Sequence, residues 1–292
     1  MDTITHTLFG IGIYKAINKE KMSKKEKQAL LLTSIGASQI PDIDIISQLW
    51  DTAGQYQMWH RGITHSVFLV PVWAFLFFVI NYLFFRLKNW RFFWIACLAV
   101  FTHNTSDVFN AWGTGYLEPF STIRLSFGTI PIIDFVIWIL FLATFLLSKT
   151  RKAWTEHRLY RICWTLIAFH VVVQSAQGYI LYNDYSPRYE QVTLSASFIP
   201  WNYSIIGKNV DTVDIVRSSL FTEERLIDQL NSDSDSELEQ LFVQNPKAKT
   251  LYEWSPFVVV VDNEEYFGIY DPRFYREGQS FLFEYIEKTQ IR

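Results

Sequence analysis

Four long apolar runs mark the first 181 positions, at about 66–85, 92–109, 131–148 and 162–181. Each approaches the ~20 residues that a helix rising ~1.5 Å per residue needs to cross a bilayer, so the pattern predicts four spanning helices. The first and third runs are nearly free of charge. The second carries His103, Asn104 and Asp107, and the fourth carries His170, Gln174 and Gln177. Polar groups are costly against lipid, so those faces are expected to turn into a bundle. Two shorter apolar stretches, about 3–17 and 28–40, would reach only ~20 Å each and predict a helical hairpin packed against the spans.

After residue 181 the period changes. Alternating segments at Gln191–Ser197, Asn202–Ile206, Thr212–Val216, Phe257–Val261, Tyr266–Tyr270 and Phe281–Ile286 predict strands, with Asp262-Asn263-Glu264-Glu265 as a hairpin turn. Thr222–Leu230 reads as a helix capped by Thr222, and the Ser/Asp run at 232–237 as a solvated loop. The expected fold class is therefore an all-α polytopic membrane helix bundle, four clear spans plus a short N-terminal helical hairpin, followed by a small soluble α/β domain. The domains are 1–181 and 182–292.

Charge supports that division. Residues 1–181 hold 16 Lys+Arg against 10 Asp+Glu, and residues 182–292 hold 10 against 19, which sums to the net −3 of the chain. An acidic C-terminal half argues against nucleic acid as its partner. Basic residues cluster at 15–27, 86–91 and 149–161, while 41–65 and 110–130 hold one Arg each. With basic loops cytoplasmic, the hairpin counted as two passes gives six alternating helices and an extracytoplasmic C-terminal domain on a multi-pass protein of the cell membrane. Cys97 and Cys163 both lie in apolar runs and read as packing residues, and the polar start around Asp2 and His6 does not resemble a cleavable signal.

Chemistry-bearing residues gather at one end of this arrangement. His103-x-x-x-Asp107 places imidazole and carboxylate on one helix face, where both reach a single cation. Pro41-Asp42-Ile43-Asp44 follows the second short helix, and His60-Arg61-Gly62-Ile63-Thr64-His65-Ser66 precedes the first long span. Asp2-x-x-x-His6 opens the chain. In the six-helix topology His6, Asp42, Asp44, His60, His65, His103 and Asp107 all fall in one leaflet, which independent capping or solvation roles would not require. Nitrogen and carboxylate donors suit zinc, manganese or ferrous iron. His157 reads as solvated, and His170 as a structural hydrogen-bonding partner of Gln174.

On these residues the chain resembles the YdjM family, described as LexA-regulated, membrane-bound, metal-dependent hydrolases, and particularly its YfhP-type members. Asp2-x-x-x-His6 with Gly10, Pro41-Asp42-x-Asp44, His60-Arg61-Gly62-x-Thr64-His65-Ser66 and His103-x-x-x-Asp107 carry the likeness. Gly113-Thr114-Gly115-Tyr116-Leu117-x-Pro119-Phe120 and Ile133-Asp134 continue it, over about 1–135. That family looks like a membrane relative of the zinc-dependent phospholipase C and single-strand nuclease fold, which implies phosphoester hydrolysis at a zinc cluster. This chain lacks an N-terminal Trp ligand and a second HxxxD/E pair, so the resemblance implies one or two ions rather than three.

The expected ligands are Asp44, His60, His103 and Asp107, with His6, Asp42 and His65 next. Asp42 or Asp2 is the expected general base, and Arg61 a bidentate phosphate clamp, with Arg124 second. A site at the leaflet boundary favours a phospholipid or another amphipathic phosphoester. The competing reading is a non-enzymatic membrane sensor or regulator with a structural metal.

Overall fold

The computed structural model describes all residues except 151–153, 234–237 and 289–292. The chain forms two compact units. One contains Met1–Asp44 and Arg61–Gln174; the other contains Ile45–His60 and Ser175–Arg292.

The first unit is helical. α1 (Thr3–Ala16) and α2 (Lys24–Ala37) form the hairpin. Asp2 caps α1 by accepting the amides of Ile4 and Thr5, and Ser23 with Glu26 closes a capping box on α2. α4 (Val70–Phe85) and α5 (Arg91–Val108) pack against α2 through a seam of Ala37, Ala74, Ala96 and Ala99, all fully buried. Such small side chains let helix backbones approach closely. α6 (Phe135–Thr150) and the first half of α7 (Glu156–Tyr185) close over the other side of α1, burying Phe9, Ile137, Phe141, Cys163 and Ile167.

Among the described residues two helical stretches, not four, are long and apolar enough to cross a membrane: Val67–Phe85 and Glu156–Arg188. A third arises only if α2 and the 3₁₀ helix Ile40–Leu49, bent 53° from it, count together. The four-span expectation fails for physical reasons. Asp134 accepts the amides of Val136 and Ile137 and so starts α6 late, leaving 16 residues. α5 has 18 residues, but Thr102–Asp107 makes its last turns polar, and His103, Asn104 and Asp107 there are buried. Large apolar side chains such as Phe84, Trp94 and Ile139 still lie exposed on the outer faces, as lipid contact requires.

The second unit begins with Ile45–His60, which includes α3 (Tyr56–Trp59) and is tied to the domain by the Gln55 amide donating to Thr250. Its main sheet is an antiparallel meander, β1 (Gln191–Ala196), β2 (Tyr203–Lys208), β3 (Thr212–Ser219) and β4 (Thr222–Asn231). Leu181 and Tyr185 of α7 pack on one face with Leu194, Tyr203, Ile205 and Val216. The other face buries Ile206, Val213, Ile215 and Leu230 against Phe257 and Val259. α8 (Leu238–Gln244) and α9 (Pro246–Trp254) lead to a second sheet of β5 (Val259–Asp262), β6 (Tyr266–Tyr270) and β9 (Phe283–Glu287), with β7 (Tyr275–Arg276) and β8 (Gln279–Ser280) as a short ribbon between.

The β5–β6 turn lies where the sequence placed it, with Asn263 accepting the amides of Glu265 and Tyr266. Thr222–Leu230 is a strand rather than the expected helix. Its Thr-Glu-Glu-Arg-Leu start favours a helix locally, but registry with β3 satisfies its backbone and buries Leu230. Most of the 232–237 loop lies outside the described residues.

Candidate metal centre

The site grows from the break between α2 and the 3₁₀ helix. Pro41 lacks an amide hydrogen and cannot continue the α-helical ladder. The Ser38 carbonyl, left without an intrahelical partner, accepts from His103 Nδ1 at 2.7 Å. That bond fixes His103 as the tautomer whose Nε2 carries a lone pair.

His65 is held the same way. It lies in the turn Ile63–His65, and Ser66 caps the next turn, Val67–Leu69, by accepting the Phe68 amide. Thr64 Oγ1 donates to Asp44 at 2.8 Å and stands 3.0 Å from His65 Nδ1, with Asp44 3.4 Å from the same nitrogen. Oxygen acceptors therefore claim the Nδ1 proton of His65, and its Nε2 is also a bare acceptor.

These two Nε2 atoms face each other at 3.1 Å. Two lone pairs at that distance repel unless a cation lies between them. Asp42 Oδ1 is 3.3 Å from His65 Nε2 and 3.5 Å from His103 Nε2, and Asp107 Oδ2 is 3.4 Å and 3.8 Å from the same atoms. Four bonds of ~2.0–2.1 Å to a tetrahedral ion put its donors ~3.3 Å apart. The set Asp42, His65, His103 and Asp107 fits a divalent ion with little adjustment.

His6 lies beside this cluster, fully buried, its ring stacked on His103 at 3.6 Å. Among the described residues neither of its ring nitrogens has a hydrogen-bond partner, and Nε2 is 3.4 Å from Asp107 Oδ1. Asp107 thus turns one oxygen to each side, one toward His65 and His103, the other toward His6 and the Met1 amine.

Arg61 is buried and engaged with protein. Nη1 donates to Asn110, Nη2 to the Met1 carbonyl, and Nε stands 3.3 Å from Asp107 Oδ2. Its amide donates to Asp44 and its carbonyl accepts the Gly115 amide, so this one residue ties five segments around the ligands. Arg61 adopts φ 57°, a left-handed conformation that keeps the guanidinium directed inward.

The other expected residues have the following surroundings. Asp2 spends its carboxylate capping α1 and accepting from the Thr5 hydroxyl. Asp44 supports His65 from behind. His60 belongs to the second unit, stacked on Tyr56 at 5.1 Å. Arg124 donates to the Gly113 carbonyl. His170 bonds Asp134 at 2.9 Å, not Gln174 as expected. Half-buried Glu118 was passed over by residue type and spacing alone; burial pushes its carboxyl above the usual range, against the pull of Arg124 and His65.

Residues 1–181, which contain the whole centre, match the family described as YdjM inner membrane protein. The chain belongs to the YdjM family. A relative of this YdjM-family chain, described as "Uncharacterized protein YfhP" from Bacillus subtilis (strain 168), is 34% identical over 147 residues, covering 49% of this chain. The chain spans 45% of that relative's length. No solved structure matches.

Proposed function

We propose that this YdjM-family membrane protein is a metal-dependent hydrolase acting on a phosphoester of a lipid or similar amphipathic substrate. The observation that carries the proposal is the pair of tautomer-locked imidazoles, Nε2 to Nε2 at 3.1 Å, bracketed by Asp42 and Asp107. Zinc suits this donor set, and His6 with the outer oxygen of Asp107 offers a start for a second ion. A divalent ion bound there supplies a water with its pKa lowered toward ~7 and polarises a phosphoryl oxygen.

The chain's own residues divide the other tasks. Asp42, 22% exposed, is the only solvent-accessible member of the four, so substrate is expected to enter from its side. Its second oxygen is the natural proton acceptor, since Asp2 is committed to α1. Arg61, with each nitrogen facing a protein acceptor, holds Asp107 in place. Phosphate clamping by Arg61 would require it to give up one of these bonds.

The test is phosphate release from amphipathic phosphoesters by protein reconstituted in bilayers. Chelation is expected to abolish turnover, and zinc or manganese to restore it. The second reading, a sensor with a structural metal, draws on the four protein donors, which alone complete a tetrahedral site. Stoichiometric tightly held metal with no exchangeable water and no turnover would favour it and overturn the hydrolase proposal.

The basic residues ahead of α7 and the acidic domain after it also favour a cytoplasmic start and an extracytoplasmic end for that helix. A phosphatase reporter fused after Arg292 is expected to be active, and one fused near Lys25 silent. The reverse pattern would remove this orientation.

A further inference from the structure

The C-terminal meander carries an apolar end that its own domain does not cover. The β1–β2 loop exposes Phe198, Ile199 (66%) and Trp201, and the β3–β4 turn exposes Leu220 and Phe221 (70%). The Trp201 and Phe221 rings meet edge to face at 6.0 Å, so the two loops form one aromatic tip. Aromatic side chains of this kind are enriched where protein meets the membrane–water interface.

The direction of the tip is fixed by α7. The Tyr203 hydroxyl bonds to the Gly178 backbone, and Tyr203 pairs with Ala196 and Ser218, the last ladder residues before the tip. Eleven residues later, the Tyr189 hydroxyl donates to Asp214, which pairs with Gly207 near the opposite end of the ladder. The helix thus runs from the tip end of the sheet to its far end, and β1 runs back. Within this unit the tip lies at the Gly178 end of the segment the sheet packs on, and the opposite end of the sheet lies by Tyr189.

Length makes this direction meaningful. The helical stretch Glu156–Arg188 has 33 residues. At ~1.5 Å per residue it measures ~50 Å, against a ~30 Å hydrocarbon core, so roughly two fifths of it must stand outside. Leu181 and Tyr185, on which the sheet packs, belong to the end of that helix.

Charge completes the fit. Arg217 and Arg225 are direct cross-strand partners just above the β3–β4 turn, both exposed and neither ion-paired among the described residues. Like charges directly opposite destabilise a sheet unless an anion joins them. Arg276 lies over the Phe198 ring at 5.8 Å. An apolar tip with an arginine collar matches the acyl boundary and the phosphates of a phospholipid headgroup layer.

We infer that the β1–β2 and β3–β4 hairpin tips dip into the interfacial zone of the phospholipid bilayer, with Arg217 and Arg225 on lipid phosphate, giving the domain a second hold on the membrane besides α7. The experiment uses the full chain with Cys97 and Cys163 changed to Ala, in nanodiscs of phosphatidylethanolamine and phosphatidylglycerol at one copy per disc. A polarity-sensitive dye is attached at Phe221→Cys, or at Val210→Cys in the exposed turn at the opposite end of the sheet. The Phe221 probe should emit to the blue and be quenched by headgroup-proximal nitroxide lipid at least twofold more than the Val210 probe. Adding Arg217→Gln and Arg225→Gln should weaken that quenching. Equal quenching of both probes by aqueous iodide, with none by nitroxide lipid, would overturn the inference. A Phe221 probe shielded from iodide yet untouched by nitroxide lipid would overturn it too, assigning the tip to a protein contact.

Discussion

Alanine at His103 is expected to strip bound metal from the purified protein, asparagine at Asp107 to do the same, and the double variant to be little worse than either. Both side chains converge on the atoms of Asp42 and His65, so removing either dismantles one shared socket. Losing partners that merely orient metal ligands costs about 10–100-fold in affinity, and loss of a ligand itself is expected to exceed that. Independent roles would give losses that add. Stability must be read on the same samples. His103→Ala strands the Ser38 carbonyl, at a cost of about 1–3 kcal/mol. Asp107→Ala would strand the buried Arg61 guanidinium at about 3–5 kcal/mol, which is why the near-isosteric Asn is the better variant. Wild-type metal content in both single variants, measured by mass spectrometry, would remove the centre as described.

The second large effect is expected at Gly10, on the face of α1 one turn beyond His6. A Cβ there would lie 2.7 Å from Ile35 Cα and 2.8 Å from the Ser34 carbonyl oxygen. Both are backbone atoms of α2, so Gly10→Ala must push two helices apart, at a cost of about 1–3 kcal/mol, and Gly10→Val more. Gly12→Ala is the comparison: its nearest neighbours are ring atoms of Phe141, also at 2.7 Å, which can rotate away. Gly10→Ala should therefore melt earlier than Gly12→Ala and lose metal as the end of α2, which carries the Ser38 carbonyl that sets His103, is displaced. Equal melting temperatures for Gly10→Ala and wild type would show that α1 and α2 are not held that closely.

Much of the centre was legible because its chemistry is local. The i,i+4 spacing of His103 and Asp107 and the break at Pro41-Asp42 can be read from the chain. The sequence reading placed His60 ahead of His65, although residue type treats them alike. What separates them is tertiary: Asp44 and Thr64 grip the Nδ1 side of His65 and present its Nε2 to His103. The acceptor that sets His103, a backbone carbonyl on another helix, leaves no mark in residue type. Hydropathy failed on the span count because it cannot distinguish polar residues facing lipid from the buried polar end of α5. It failed at Thr222–Leu230 because pairing with β3 outweighs local helix preference.

The Ser38 carbonyl, released from its helix and bonded to His103, also bears on any effort to make this protein sturdier. Mending the interruption at Gln39–Pro41, for instance by Pro41→Ala with helix-favouring neighbours, is the kind of change that commonly raises melting temperature. Here a continuous helix would return the Ser38 oxygen to the amide of residue 42, which now bonds to Gln39 instead. His103 would lose the acceptor that sets its tautomer, and Asp42 would be carried around the helix axis away from its partners. The weakest joint in α2 is thus the one that stabilisation must leave alone.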